Sequence, residues 1–456
     1  MGRWGKLIVL SALLVIVGSV GLPVVYLVRY ASKSGCVEAE IARIRSEGLP
    51  ASADELAGKP VPDSRNGAIQ YEEAVKPLDT PTGRQDLYRI REFLRLDVQQ
   101  RSPEMWAELR AVTVHRAGSL ELARKASAMP ECRFPAEPRD SRAGYGGRQF
   151  SFMRSLPRLA WAQAVIDAKD GRPDRALQSV ELILRMGESM KNDRSSAGVG
   201  SRYRAVALAT DALIDVGRLG RVREPEARSL ADYIAGIDLS DSATRALQAE
   251  RATTITLFEQ MRKGGVRSSY SGSYSDSGSL ADKLHGVVPV GWALNNDEAN
   301  YLRDIRLQIE LVGDTYRSIR TAGNSEVSPP AYSLYAPWNA AMGARAALAR
   351  DQAIARLDGD RVFLGLLAYH SRFGSYPATL EELVSKLKWR TAADPFSGKP
   401  FVYRRQGRGF VLYSIGANLK DDNGTPWQGD RPGNSASARG GIARDFDEAG
   451  DYVWKL

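Results

Sequence analysis

Two cysteines and three histidines in 456 residues leave little material for metal or thiol chemistry. His115, His285 and His370 stand far apart in the chain, so no H-E-x-x-H pair or other paired zinc-ligand spacing exists. A G-x-S-x-G elbow, a Walker loop and a G-x-G-x-x-G turn are also missing, which removes the usual nucleophile and phosphate arrangements. The adjacent carboxylates Glu72-Glu73 and Glu381-Glu382 fall on helical stretches at different azimuths, a poor geometry for shared acid-base work. Carboxylates distant in sequence could still converge, and a hydrolase acting on envelope glycans is therefore kept as the alternative class.

The formal net charge of +9 does not point to nucleic acid. Arginines alternate with acidic residues, as in EIARIRSE and LRDIRLQIE, and read as solvated helix faces. No zinc-finger, RNP or KH signature accompanies them, and no nucleic-acid partner is expected. Hydrophobic residues at 43% and charged residues at 26% are the proportions of folded protein.

Charge is absent altogether from Leu7 to Val28. As a helix this run would span roughly 33 Å, enough for a bilayer core. A cleaved signal peptide is the competing reading, but the run exceeds an ordinary h-region and no A-x-A site follows it. Lipidation at Cys36 is disfavoured because Lys33-Ser34-Gly35 precede it. Residues 7–28 are therefore expected to form an uncleaved anchor. Arg3 and Lys6 on one side nearly balance Arg29 and Lys33 on the other, so the short leading tail decides orientation. Such a tail stays inside, which gives a single-pass cell-membrane protein with the bulk of the chain extracytoplasmic. Cys36 and Cys132 could then pair.

The stretch 37–330 reads as a helical extracytoplasmic region. Ser52-Ala53-Asp54-Glu55 is a capping-box sequence, and Asn66 is a candidate N-cap for a helix running to about Lys76. RLAWAQAVIDAKD and DRALQSVELILRMGESM flank Gly171-Arg172-Pro173, where one helix should stop and the next begin. Trp161, Val165 and Ala168 share one face, as do Leu177, Val180 and Leu184. YRAVALATDALIDVGRLG and PEARSLADYIAGID form a second pair. These hairpins resemble tetratricopeptide pairs, although two fall short of a solenoid and an irregular helical bundle is the better description. GGVRSSYSGSYSDSGS, residues 264–279, reads as a surface loop between helices, and NDEANYLRDIRLQIELVGDTYRSIRTAG returns to helical spacing.

The region 344–456 has a different character. A long helical stretch runs from Ala344 to Gly374, followed by a Tyr376-Pro377 step and a capping box at Thr379-Leu380-Glu381-Glu382. Asp394-Pro395-Phe396-Ser397-Gly398 is turn chemistry. It delivers the chain into two alternating strands around Gly407-Arg408-Gly409, with Phe401 and Tyr403 on one face. A two-stranded ribbon is marginal alone, so its apolar face is expected against the long helix.

YPATLEELV, DPFSGKPFVYRRQGRGFVLYSIG and the DD-rich loop after them resemble the C-terminal region of the major pseudopilin of type II secretion, G type. The likeness covers 344–456 and implies a small α+β module with an acidic calcium-binding loop. Carried over, Asp421 and Asp422 match the acidic pair, Asp451 matches the acidic position before the final strand, and Asn418 stands where many members have Asp. Calcium would need six to eight oxygens there. The chain departs from the family in its anchor, where Lys6 follows Gly5, Leu10 occupies the glutamate position, and residues 29–343 intervene before the module. Ordinary pilin polymerisation is therefore not expected. The fold class is mainly α with a C-terminal pseudopilin-like α+β module. The expected role is protein-protein interaction or structural assembly, linked to secretion or pilus-like machinery, with an envelope protein as partner and no catalysis. A carbohydrate-binding role around Trp427 and neighbouring tyrosines is a further alternative, with Trp427 readable equally as exposed or as packed.

Overall fold

A computed structural model describes residues 35–57, 61–134, 152–193, 195–262, 290–323, 342–427 and 450–456. The expected anchor at 7–28 and the serine-tyrosine stretch at 264–279 lie outside them. Among the described residues no helix is long and apolar enough to cross a membrane.

The chain is mainly helical with one small antiparallel sheet. After a helical stretch over 35–46, the helices in order are α1 (Ala53–Ala57), α2 (Gly67–Val75), α3 (Pro81–Leu94), α4 (Pro103–His115), α5 (Ala117–Ser127), α6 (Phe152–Lys169) and α7 (Pro173–Glu188). They continue with α8 (Ser196–Leu219), α9 (Glu224–Ala235), α10 (Ser242–Arg262), α11 (Val290–Val312), α12 (Tyr316–Thr321), α13 (Met342–Phe373) and α14 (Leu380–Leu387). Strands β1 (Val402–Gln406), β2 (Gly409–Ser414) and β3 (Tyr452–Lys455) form the sheet in that order.

Two compact units interleave along the chain. One gathers 1–58, 247–310 and 326–342; the other gathers 59–246, 311–325 and 343–456. In the first, the amide of Ala53 donates to Thr256 Oγ1 at 2.9 Å and Arg306 meets Glu40 at 3.3 Å. Ile44, Ile255, Phe258 and Leu302 fill its core.

Local chemistry sets the helix ends in the second unit. Asn66 accepts from the amide of Ala68, and Thr80, Ser102, Ser195 and Thr379 cap their helices in the same way. Pro173 opens α7 at its first turn, where a missing N–H costs nothing. Glu382, expected to close its capping box on the N-cap residue, reaches one residue further back, to the amide of Ala378 at 2.6 Å. Glu55 does the same with Ala51 at 2.7 Å. The long stretch after 296 breaks between Val312 and Tyr316, where Thr315 accepts from the amide of Ser318 and starts a new helix.

Helices α6 and α7 pack as the antiparallel pair the sequence suggests, with Trp161, Val165, Ala168, Leu177, Val180 and Leu184 all buried. Buried ion pairs join helices that are remote in sequence. Arg101 pairs with Asp215 at 2.7 Å, and Trp161 Nε1 donates to the same carboxylate at 3.1 Å. Arg116 meets Asp86 at 2.8 Å and also donates to the carbonyl of Pro77. Such pairs fix register between helices, because either partner left alone would be an uncompensated buried charge.

The sheet lies against α13. Phe410 on β2 contacts Phe363 and Tyr376, with ring centroids 5.7 and 4.7 Å away. Gly359 and Gly365 on α13 make room for two indoles. A Cβ at Gly359 would stand inside the Trp454 ring, and one at Gly365 would lie 2.6 Å from Trp389 Nε1. The expected two-stranded ribbon is completed by β3, which pairs Leu412 with Trp454 and Ser414 with Tyr452. Gly374, at φ +76°, follows α13 as anticipated.

The hairpins and the sheet-bearing region share this unit and are joined directly. Arg228 on α9 donates to the carbonyl of Leu387 at 3.0 Å and stacks over Trp389, Arg372 meets Glu224 at 3.1 Å, and Arg221 donates to the carbonyl of Ser371 at 2.6 Å. At the centre of the joint is Asp360, only 1% exposed. One carboxyl oxygen accepts from Trp454 Nε1 and the other from Thr210 Oγ1 on α8, both at 2.8 Å.

Burial pushes the Asp360 pKa from 3.8 up to about 7, against the two hydrogen bonds and the charge of Arg356. The fold thus favours the protonated acid. Its contribution is fully present below pH 3.8 and declines as pH rises towards about 7, because the unfolded chain ionises first. Asp360→Asn keeps an acceptor for Trp454 and removes the titration. Denaturation across pH 4 to 8 is expected to show a flatter stability profile for the variant, its stability relative to wild type growing between about pH 4 and 7 and levelling off above that; parallel profiles would refute it.

Candidate functional site

The four residues proposed as a calcium loop do meet in space, and the reason begins upstream. Asp394, 1% exposed, accepts from the amides of Phe396 and Ser397 at 3.1 Å each, which closes the D-P-F-S-G turn. The same carboxylate takes the hydroxyl of Ser414 at 2.7 Å and the amide of Ile415 at 3.4 Å. The turn and the Y-S-I-G segment are thus one hydrogen-bonded object. It sets the direction in which the chain leaves β2 and enters the acidic loop.

Within that loop, Asn418 Nδ2 donates to Asp422 Oδ2 at 2.8 Å, and Asn418 Oδ1 accepts from the amide of Lys420 at 3.0 Å. Asp421 Oδ1 accepts from the Tyr413 hydroxyl at 2.9 Å and the amide of Asn423 at 2.8 Å. Asp451, fully buried, closes the circle by accepting from the amides of Asp422 and Gly424 at 3.3 and 2.7 Å. The amide of Gly450 returns a bond of 2.6 Å to Asp422. Backbone bonds between Asp451 and both Thr425 and Trp427 seal the loop against β3.

Desolvation raises the Asp451 pKa to about 6; the two amides oppose the shift, and the negative charges of Asp422 and Asp421 add to it. The donors are hard oxygens, the type calcium takes. In this arrangement they are engaged by backbone amides, and among the described residues no group of three or more His, Cys, Asp or Glu side chains is placed to hold one metal ion.

No family model, curated protein or solved structure matches this chain. Its functional reading therefore rests on its own residues and their geometry.

The structure closes two alternatives that the sequence leaves open. Trp427 is 4% exposed and packs edge-on against Tyr452, so it offers no open platform for a sugar ring. Cys36 and Cys132 are free thiols and the disulfide considered between them is not formed; burial pushes the Cys132 thiol up to about 12. His370, half-buried in the last turn of α13, stacks on Tyr376 at 4.5 Å. Burial and the charge of Arg221 lower its pKa. The roles of Asp394 and Asp360 were not visible in sequence, since their partners lie 20 to 150 residues away.

Proposed function

We propose that the chain is a membrane-anchored envelope protein, with 7–28 as the anchor and 344–456 as a pseudopilin-like module used for protein-protein interaction in a secretion or pilus-like assembly. The observation that carries this reading is the hydrogen-bonded unity of turn, hairpin, acidic loop and last strand, centred on Asp394 and Asp451, laid across one long helix. Those parts follow the order in which the resemblance expects them. The hairpin of α6 with α7 is tetratricopeptide-like, while α8 packs on both of its helices and α9 on α7 instead of forming a second hairpin; the layered helices add surface of the kind helical hairpins use for partners. Strand β1, an edge strand bearing Arg404 and Arg405 on exposed positions, gives the module a polar border.

Two measurements test this. Membrane fractionation of the intact chain is expected to recover it with the bilayer, and crosslinking in its own membranes to capture secretion or pilus subunits. Recovery in the soluble fraction, or crosslinks confined to the chain itself, would overturn the proposal.

Calcium belongs to the same reading. Asn418, Asp421, Asp422 and Asp451 would hold the ion, which would offset the negative charge that the three carboxylates gather there. Millimolar calcium is expected to raise the melting temperature at pH 7 and to lose that effect in Asp451→Asn. No heat and no thermal shift with calcium would remove the metal from the proposal and leave the loop as a closed structural turn.

A further inference from the structure

Away from the acidic loop, helices α5, α6 and α7 meet around an open polar cleft of about 350 Å³. Arg124, Gln163, Asp167, Arg175, Gln178 and Ser179 line it. Its charges do not cancel within the wall. Asp167 is already neutralised from outside the lining, since Arg172 donates to its Oδ1 through Nε at 3.0 Å and Nη2 at 2.9 Å, while Gln163 occupies Oδ2 at 2.9 Å. Arg124 has only a distant 3.7 Å contact with Glu121, one turn away on its own helix. Arg175 forms no ion pair among the described residues, so two guanidinium groups face a cleft whose one carboxylate is spent.

Ser179 supplies the independent sign of a ligand. Its side chain is part of the cleft wall, its residue is 2% exposed, and its hydroxyl has no hydrogen-bond partner among the described residues. The residue is enclosed by its neighbours while its unpartnered oxygen is left open to the cleft, which places one fixed hydroxyl donor in the wall. The exposed amide of Gln178 stands one residue away. Together the wall offers charged and neutral donors and has no free anion of its own.

We propose that this cleft binds a small ligand through a carboxylate or phosphate group. Arg124 and Arg175 supply the charge-assisted hydrogen bonds, and Ser179 donates its hydroxyl to an oxygen of the anion. The volume lies near the lower end for small-molecule sites, which suits a compact anion and not an extended polymer.

The test is isothermal calorimetry on the full chain with citrate and with inorganic phosphate, which separates the two oxyanion sources. One of them is expected to bind, with affinity reduced at least tenfold by Arg175→Glu, about threefold by Ser179→Ala, and largely preserved by Arg175→Lys. Arg408→Glu, an exposed site on the β1–β2 turn with the same change in net charge, serves as the control and is expected to leave affinity unchanged. The inference fails if neither anion binds at millimolar concentration, if Arg175→Glu binds as well as wild type, or if Arg408→Glu weakens binding equally.

Discussion

Replacing Trp454 by alanine is expected to destabilise its unit by about 4 kcal/mol, the cost typical of a large aromatic removed from a core. The indole is 1% exposed, rests on the notch at Gly359, and meets Phe401 edge-on at 5.9 Å. Its N–H is also one of two donors to Asp360. Trp454→Phe separates these contributions in part, because it keeps one aromatic ring but removes the donor together with the fused five-membered ring. That variant should lose roughly 2–3 kcal/mol, between one buried hydrogen bond and the full truncation. Chemical denaturation followed on the transition of this unit decides the matter. A Trp454→Ala midpoint indistinguishable from wild type would mean that β3 does not hold the sheet to the helix.

The second large effect is expected at Asp394. Asp394→Ala would leave the amides of Phe396 and Ser397 and the hydroxyl of Ser414 without their acceptor in a site closed to water. A loss of roughly 3 kcal/mol follows from one charge-assisted acceptor removed and its donors left buried. Asp394→Asn retains one acceptor oxygen and should recover part of that loss. Hydrogen exchange at the amides of Phe396 and Ile415 gives a local reading. Both are expected to exchange much faster in the alanine variant, and unchanged protection would show that the turn stands without the carboxylate.

What was legible in the sequence was local. Gly171 and Pro173 marked the α6–α7 junction because a left-handed backbone and a missing N–H act where they stand. Asn66 and Thr379 announced helix starts for the same reason, and the aromatic alternation from Phe401 to Ile415 gave the hairpin. Meetings at a distance were not legible. Asp394 read as ordinary turn chemistry, and only the fold shows that its other partner is Ser414 on β2. Asp360 looked like one more charge on a helix with many, until Thr210 and Trp454 close on it from two directions. Trp427 could be read from sequence as packed or exposed, because the choice depends on whether β3 lies beside it. For the acidic loop, sequence order gave the four residues and the fold gave the amides that occupy them.

The notches at Gly359 and Gly365 have a mechanical consequence. Rings seated in gaps of a helix backbone cannot slide along it, since a displacement of one residue would drive them into side chains. The last strand and the long helix are therefore geared together, and a pull on the C-terminal segment would be transmitted along α13 rather than absorbed by slippage of the sheet.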